Sequence, residues 1–384
     1  MPDKKHKILF ILHYPPPVHG SSVVGLQIKE SKVINAAYDC YYINLSTSAT
    51  IDEIGKNAFG KIIRYISILS QVFKNLFAHR PDLCYLAITA QGLGFYKDAV
   101  VVLLVKLFRV KPVYHFHNKG VIKRQDKFID NLLYRFVFKN ADVILLSPYL
   151  YPDIQKYVSA NVVHYCPNGI QDQVKSQKSK RSEYPASEGA KVKRKNLIVE
   201  ILFLSNMFET KGVFVLLDAC KILKQKNLHF HCTFVGGRGD ITEKQFQDKV
   251  ITNDLINYVN YVGKKYGSDK ESFFSNADIF SFPTYYDNET FGLVNLEAMQ
   301  YELPVISTFE GGIPDVVEDG VTGFLVPQKD SNTLAEKLEV LILNKELREE
   351  MGRKGRMRYE QNFTLQNFED RLNTILTECL LETY

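Results

Sequence analysis

Tryptophan is absent from this chain of 384 residues, and its six cysteines are scattered. Cys40, Cys84, Cys166, Cys220, Cys232 and Cys379 never fall in a C-x-x-C pair. That spacing excludes a zinc ribbon or a disulfide frame and reads as small buried side chains in a reducing compartment. Long apolar runs are also lacking. The strongest, AVVVLLVKLF, is interrupted by Lys106 and falls far short of a bilayer span. The opening MPDKKHKILFILHYPPP has too short an apolar run for a secretory leader, so a cytoplasmic protein is expected. No G-x-G-x-x-G follows the first apolar run, which ends in HYPPPVHGSS, and this removes the nicotinamide dehydrogenase class. No nucleic-acid module is recognisable, so nucleic acid is not an expected partner.

What is present is the balance of a soluble globular protein, with 45 % hydrophobic and 24 % charged residues. The length is comfortable for two domains, each able to bury a full core. The net charge of +5 is unevenly distributed. Residues 1–180 hold 24 Lys and Arg against 12 Asp and Glu, whereas residues 181–384 hold 24 against 31. A basic half joined to an acidic half suggests different partners for each, with an anionic membrane or a phosphate-bearing acceptor for the first.

Continuous apolar strands alternate with helical stretches. Strands are expected at 7–14, 82–88, 111–117, 142–147 and 161–169, with helices over 22–36, 56–79, 93–109 and 122–140. Such alternation argues for a parallel sheet covered on both faces. Residues 171–195 are polar and charged, the signature of a linker. The pattern then restarts, with strands expected at 197–206, 230–237, 258–263, 277–283, 303–308 and 323–327 and a helix from about 212 to 226. Two Rossmann-like α/β domains follow, residues 1–170 and 196–362. The amphipathic stretch from about 363 to 384 needs a surface to pack on.

The informative segment is ADIFSFPTYYDNETFGLVNLEAMQYELPVISTFEGGIPDVVEDGVTGFLVP, residues 277–327. A strand ending at Pro283 leads through a polar loop to a helix expected from Phe291 to about Tyr301. Glu289 sits at the helix mouth and Glu297 eight positions later, so at about 1.5 Å rise per residue the carboxylates stand on the order of 10 Å apart. That suits hydroxyls at two ends of one ligand better than a paired acid and base. The N–H groups of Phe291, Gly292 and Leu293 are expected to face an anion between them. The ligand this describes is a nucleotide-sugar.

Glu289-x7-Glu297, with the FP-T-Y before it and PVIST, GGIPDVV and TGFLV after it, resembles the family 4 retaining glycosyltransferases, which have the GT-B fold. The resemblance extends to FLSNMFETKGVFVLLDAC (203–220), FVGG (234–237), YVG (261–263), CPNGI (166–170) and the loop PPPVHGSS. It implies two sheets facing each other across a cleft, with the C-terminal helix crossing back to the N-terminal, acceptor-binding domain. It assigns Lys211 to the donor phosphates, Glu297 to ribose and Glu289 to the transferred sugar. Gly20 is placed in the loop closing on the phosphates, Gly236 and Gly263 at the strand ends framing the base, and His117 beside the reacting carbon. Relatives carry Gly-Arg where this chain has Ser205-Asn206, so a second phosphate cation is missing there, and Arg238 is a candidate substitute. No Asp-x-Asp occurs, which fits a metal-independent design in which Lys211 and the helix dipole act on the diphosphate. No cofactor is implied.

The reaction implied is transfer of a hexose-type sugar, from a UDP-sugar, to a hydroxyl of a glycan or lipid-linked acceptor in surface-polysaccharide assembly. A non-catalytic nucleotide-sugar binder, a phosphorylase and an epimerase on the same fold stay open. His115 and His117 are read as facing opposite sides of their strand, His115 being structural. In residues 56–80, Lys56, Lys61, Arg64, Lys74 and Arg80 flank a stripe of Phe59, Ile62, Ile63, Ile66, Leu69, Phe73, Leu76 and Phe77. Such a helix either covers the sheet or lies on an anionic membrane.

Overall fold

The computed structural model describes residues 5–16, 20–46, 58–174 and 198–381. The chain forms two units, Met1–Gly169 with Gln366–Tyr384, and Ile170–Leu365. Each holds one six-stranded, all-parallel sheet with helices around it.

The first sheet comprises β1 (Lys7–Leu12), β2 (Asp39–Asn44), β3 (Leu83–Ile88), β4 (Lys111–Phe116), β5 (Asp142–Leu145) and β6 (Val163–Tyr165), in the order β2-β1-β3-β4-β5-β6. Ile8 to Ile11 and Leu83 to Tyr85 are fully buried, as continuous apolar strands between two helical layers should be. β2 was not expected. Its DCYYIN pairs only with β1 and lies half-exposed at the sheet edge, so it carries neither an apolar run nor a strict alternation. The expected helix 22–36 is two helices, Gly20–Glu30 and Lys32–Ala37, because the Ser31 hydroxyl caps the second by accepting the Ile34 N–H at 3.2 Å. The stretch 122–140 likewise divides into Val121–Arg124 and Phe128–Phe138.

The helix Leu365–Leu381 belongs to this unit. It buries Phe368, Leu372, Leu376 and Cys379, and its Asn373 carbonyl accepts the Tyr38 hydroxyl at 3.0 Å.

The helix Ala58–His79 does two things at once. Ile68, Val72 and Leu76, at i, i+4 and i+8, are buried. Most of the stripe read from the sequence, namely Ile62, Ile63, Ile66, Phe73 and Phe77, is instead exposed; Lys56 and the Phe59 side chain lie outside the described residues. The neighbouring helix Gly92–Leu107 exposes Leu93, Val100, Leu103 and Leu107, and Phe128–Phe138 exposes Phe128, Ile129 and Leu132. The acidic residues of these three helices, Asp98 and Asp130, are both buried. Lysine and arginine therefore carry all of the formal side-chain charge this apolar face shows to water. Among the described residues no helix is long and apolar enough to cross a membrane.

The second sheet comprises β7 (Val199–Leu204), β8 (Phe230–Val235), β9 (Val259–Tyr261), β10 (Ile279–Ser281), β11 (Val305–Thr308) and β12 (Gly323–Val326), in the order β12-β11-β10-β7-β8-β9. From β7 the chain runs outward to β9, then returns to lay β10 on the other side of β7. Read from β9, this is the 3-2-1-4-5-6 order of a dinucleotide-binding sheet, and β7–β10 is its switch point. Of the expected linker, residues 175–195 lie outside the described residues. Its start is held in the second unit, where the Gln171 carbonyl accepts Gln300 Nε2 at 2.8 Å and Asp172 pairs with Arg356.

Candidate active site

In open α/β sheets, ligands bind beyond the carboxyl ends of the strands where the strand order reverses. In the second unit that point lies between the loops following β7 and β10. The β7 loop carries Ser205 and Asn206, passes through a 3-10 turn at Glu209–Lys211, and enters the helix Val213–Gln225. Gly212, at φ +88°, joins turn to helix, and a Cβ there would come 2.2 Å from the Pro283 carbonyl oxygen. Only glycine satisfies both the left-handed backbone and this approach to the β10 loop. Tyr285 N–H then donates to the Thr210 carbonyl at 2.8 Å, closing the two loops on each other.

This closure brings Lys211 to Glu289. The ammonium lies 2.6 Å from Glu289 Oε2, and each side chain is 15 % exposed. The ring of Tyr286 flanks the ammonium, its centroid 4.2 Å away. The other carboxylate oxygen accepts the Gly292 N–H at 3.1 Å. A half-buried carboxylate and ammonium thus satisfy each other at the switch point, and a ligand bearing phosphate and hydroxyls can exchange with both.

The helix after them begins at Leu293, two residues later than expected. The Phe291 side chain is 2 % exposed and meets Phe363 edge-on. The Gly292 N–H is taken by Glu289, so the first turn of N–H groups belongs to Leu293 and the residues after it. Glu297 lies one turn along that helix, with Lys270 Nζ 2.8 Å from its Oε1. Lys270 was invisible in the sequence, being one lysine of a polar helix, Gly267–Asn276. Asn295, between the carboxylates in sequence, is fully buried, and its amide has no hydrogen-bond partner among the described residues.

The ends of β7, β8 and β9 form a second cluster. Gly236 N–H donates to the Gly263 carbonyl at 3.0 Å, and a Cβ on Gly236 would fall 1.7 Å from the Ser205 carbonyl oxygen. Arg238 forms an isolated bridge with Met207, next to Asn206; both Asn206 and Arg238 are exposed.

In the first unit, Gly20 opens the helix Gly20–Glu30, with nothing within 4 Å of where a Cβ would stand. The close backbone approach in that helix is at Gly25, where a Cβ would meet the His13 carbonyl oxygen at 2.0 Å. Residues 17–19 of the PPPVHGSS loop lie outside the described residues. His117 follows β4 directly, and its ring centroid is 4.2 Å from that of His115. The two histidines therefore share one side of the strand, against expectation. Side chains alternate with a period of two, so residues i and i+2 point the same way. His115 is fully buried, and its Nδ1 lies 2.5 Å from the Tyr85 hydroxyl. Burial, and then the neighbouring His117, hold the His115 imidazole well below its usual pKa.

Comparison with known proteins agrees with the fold. Residues 187–358 match the family described as glycosyl transferases group 1. The chain is 34 % identical over 180 residues to the capsular polysaccharide biosynthesis glycosyltransferase CapM of Staphylococcus aureus, a match covering 46 % of each chain. It thus spans about half the length of that relative. Among solved structures it resembles sucrose-phosphate synthase from Thermosynechococcus elongatus, with TM-score 0.72, 20 % identity, and 98 % of this chain and 100 % of that one covered. It also resembles Anabaena HepE in complex with UDP and glucose, with TM-score 0.68, 18 % identity, and 97 % and 99 % covered. The fold is GT-B.

Proposed function

We propose that this chain, whose residues 187–358 match the glycosyl transferases group 1 family, is a retaining, metal-independent glycosyltransferase of cell-surface polysaccharide biosynthesis. It moves a hexose-type sugar from a UDP-sugar to a hydroxyl of a glycan or lipid-linked acceptor. The observation that carries the reading is the Lys211–Glu289 pair at the switch point of the second sheet. CapM's name and the UDP and glucose in HepE support the process and the donor class.

In this reading the donor exchanges both partners of the pair. Its diphosphate takes the Lys211 ammonium, and hydroxyls of its sugar take the Glu289 carboxylate. As the bond from the anomeric carbon to the phosphate oxygen breaks, charge grows on the leaving diphosphate, where Lys211 and the N–H groups beginning at Leu293 stabilise it. The acceptor oxygen bonds to the anomeric carbon on the face the phosphate leaves. Its proton passes to the leaving phosphate oxygen, so configuration is retained without an enzyme nucleophile. Glu297 holds ribose, and His117 sits beside the reacting carbon with the acceptor.

The basic, apolar helical face of the first unit is the reading's membrane side. It would rest on an anionic leaflet and bring the acceptor-binding unit to a lipid-linked sugar.

Product NMR after incubation with a panel of nucleotide-sugars, with and without a chelator, tests the proposal. Transfer with the donor's anomeric configuration, unaffected by chelation, is expected. An inverted product would remove the mechanism. Phosphate-dependent cleavage would make the chain a phosphorylase, an epimerised nucleotide-sugar an epimerase, and tight donor binding without turnover a binding protein.

A further inference from the structure

The amino ends of β4, β5 and β6 carry a polar cluster that the proposed reaction does not use. Val113 of β4 pairs with Asp142 of β5, and Ile144 of β5 pairs with His164 of β6. Side chains alternate along a strand, so Lys111, Asp142 and His164 step diagonally across one face of the first sheet. The helix Leu365–Leu381, which belongs to the same unit, brings Cys379 to this face. Cys379 Sγ lies 3.7 Å from His164 Nε2, and the Cys379 carbonyl accepts Lys111 Nζ at 3.1 Å. One ligand atom from each of Asp142, His164 and Cys379 lies within 4.8 Å of the other two. In a tetrahedral zinc site, bonds of about 2.3 Å to sulfur and about 2.0 Å to nitrogen set the S···N edge at about 3.5 Å. The thiol and imidazole already stand near that spacing.

Two further observations point to a cation. Asp142 is 1 % exposed, and its Oδ2 makes no hydrogen bond among the described residues. The Lys111 ammonium stands 2.6 Å from that oxygen but outside hydrogen-bond geometry. A buried carboxylate oxygen so placed keeps lone pairs for an ion. On the far side of the imidazole, Glu378 Oε2 lies 3.7 Å from His164 Nδ1. A carboxylate there favours the proton on Nδ1 and leaves the Nε2 lone pair facing the thiol, as behind metal-bound histidines. Charge agrees with the geometry. With Cys379 as thiolate, Asp142, Glu378 and Cys379 are three anions against the single Lys111 cation, and a divalent ion balances the excess.

We propose that Asp142, His164 and Cys379 bind a zinc ion in the first unit, with water as fourth ligand, and that the ion clamps the C-terminal helix to β5 and β6. Thiolate, imidazole and carboxylate together suit Zn2+ rather than Mg2+ or Ca2+. The ligands come from three separate segments, so no local cysteine spacing announces them. As the zinc–sulfur bond forms, the thiol proton passes to solvent, and Lys111 stays beside Asp142 as its charge partner. The site shares no residue with the donor reading and lies at the strand ends opposite those where α/β sheets take substrates. The ion therefore stabilises the unit and takes no part in transfer.

The test is Co2+ binding to the full chain after dialysis against a chelator, followed by optical absorption. A single equivalent is expected, with a thiolate-to-cobalt charge-transfer band and the intense visible bands of a four-coordinate ion, all displaced by Zn2+. Zn2+ at about 100 times its Kd should raise the melting temperature by about 5–10 °C. Cys379→Ser should abolish the charge-transfer band, and His164→Gln and Glu378→Gln should each weaken binding about 10–100-fold. Cys379 is fully buried, so the two more exposed positions carry the test if Cys379→Ser fails to fold. Cys232 hydrogen-bonds Cys220 in the second unit, which makes Cys220→Ser the control, expected to leave the band unchanged. No charge-transfer band in the wild-type chain would overturn the proposal. So would a band retained in Cys379→Ser, a band lost in Cys220→Ser, or unchanged affinity in His164→Gln.

Discussion

The two units share a six-stranded parallel sheet but use their charge in opposite ways. In the second, lysine and carboxylate meet at the strand ends: Lys211 with Glu289, and Lys270 with Glu297. These ions neutralise each other, and in the proposed reading the donor exchanges with them. In the first, basic side chains border an apolar helical face whose two acids, Asp98 and Asp130, are buried. Strand order differs as well. The switch falls between β1 and β3 in the first sheet and between β7 and β10 in the second. One architecture thus carries a cluster of paired ions in one unit and a basic, apolar helical face in the other.

The sharpest way to break the comparison is to remove the ammonium from the second unit. Lys211→Ala should lower turnover by about 10²–10³ with its fold intact, since one electrostatic contact to developing charge is lost. Steady-state kinetics beside circular dichroism checks this, and unchanged turnover in a folded variant would reject the assignment. Glycines sharpen it next. Gly236→Ala forces a Cβ onto the Ser205 carbonyl and is expected to cost about 3 kcal/mol in urea unfolding. Gly20→Ala, with open space around it, should change stability by less than about 0.5 kcal/mol. If its loop closes on phosphates, its activity should nevertheless fall. A stable, fully active Gly20→Ala would remove that role.

The membrane prediction addresses the first unit's surface directly. Sedimentation with vesicles should need anionic lipid and weaken with salt, because exposed charge is screened over about 8 Å at physiological ionic strength. Ile63→Glu with Ile66→Glu, both exposed, should reduce binding about tenfold without changing the melt. Equal partition into neutral and anionic vesicles, or none into either, favours a soluble acceptor.

The sheets were legible in the sequence because their strands are continuous apolar runs buried on both faces. β2 was not, because an edge strand with half-exposed tyrosines carries no such run. Glu289 and Lys211 stood out through their motif, but their contact depends on Gly212 folding one loop onto another across a 78-residue separation. Lys270 had no signal at all, since a lysine in a polar segment reads as solvated surface. The helix start was misplaced by two residues because Glu289 caps the Gly292 N–H from before the helix, a tertiary-scale detail. The opposite-face reading of His115 and His117 failed on simple periodicity.

The remaining expectation concerns His115 and places a pH response in the first unit. Its imidazole is fully buried, anchored through Nδ1 to the Tyr85 hydroxyl, and titrates well below 6.5 in the fold. Below pH 6.5 the unfolded chain therefore binds a proton that the folded chain refuses. The stability this group contributes is present above pH 6.5 and is lost as pH falls toward the folded value, at about 1.4 kcal/mol per pH unit. Asp98 works in the opposite sense. Burial raises it to about 6, so between its ordinary range and pH 6 the folded chain holds the extra proton, and stability falls as pH rises through that window. The two groups partly cancel near pH 5, and single variants are needed to separate them. His115→Gln should flatten the acid limb of the stability profile, whereas Asp98→Asn should steepen it. Tyr85→Phe gives a gentler check, because it keeps the ring and removes only the anchor on Nδ1, at a cost of about 1–3 kcal/mol. Hydrogen exchange at pH 5.5 reads where the response lies. Faster exchange in β3 and β4 than in β7 and β10 is expected, and uniform loosening of both sheets would end the assignment to the first unit.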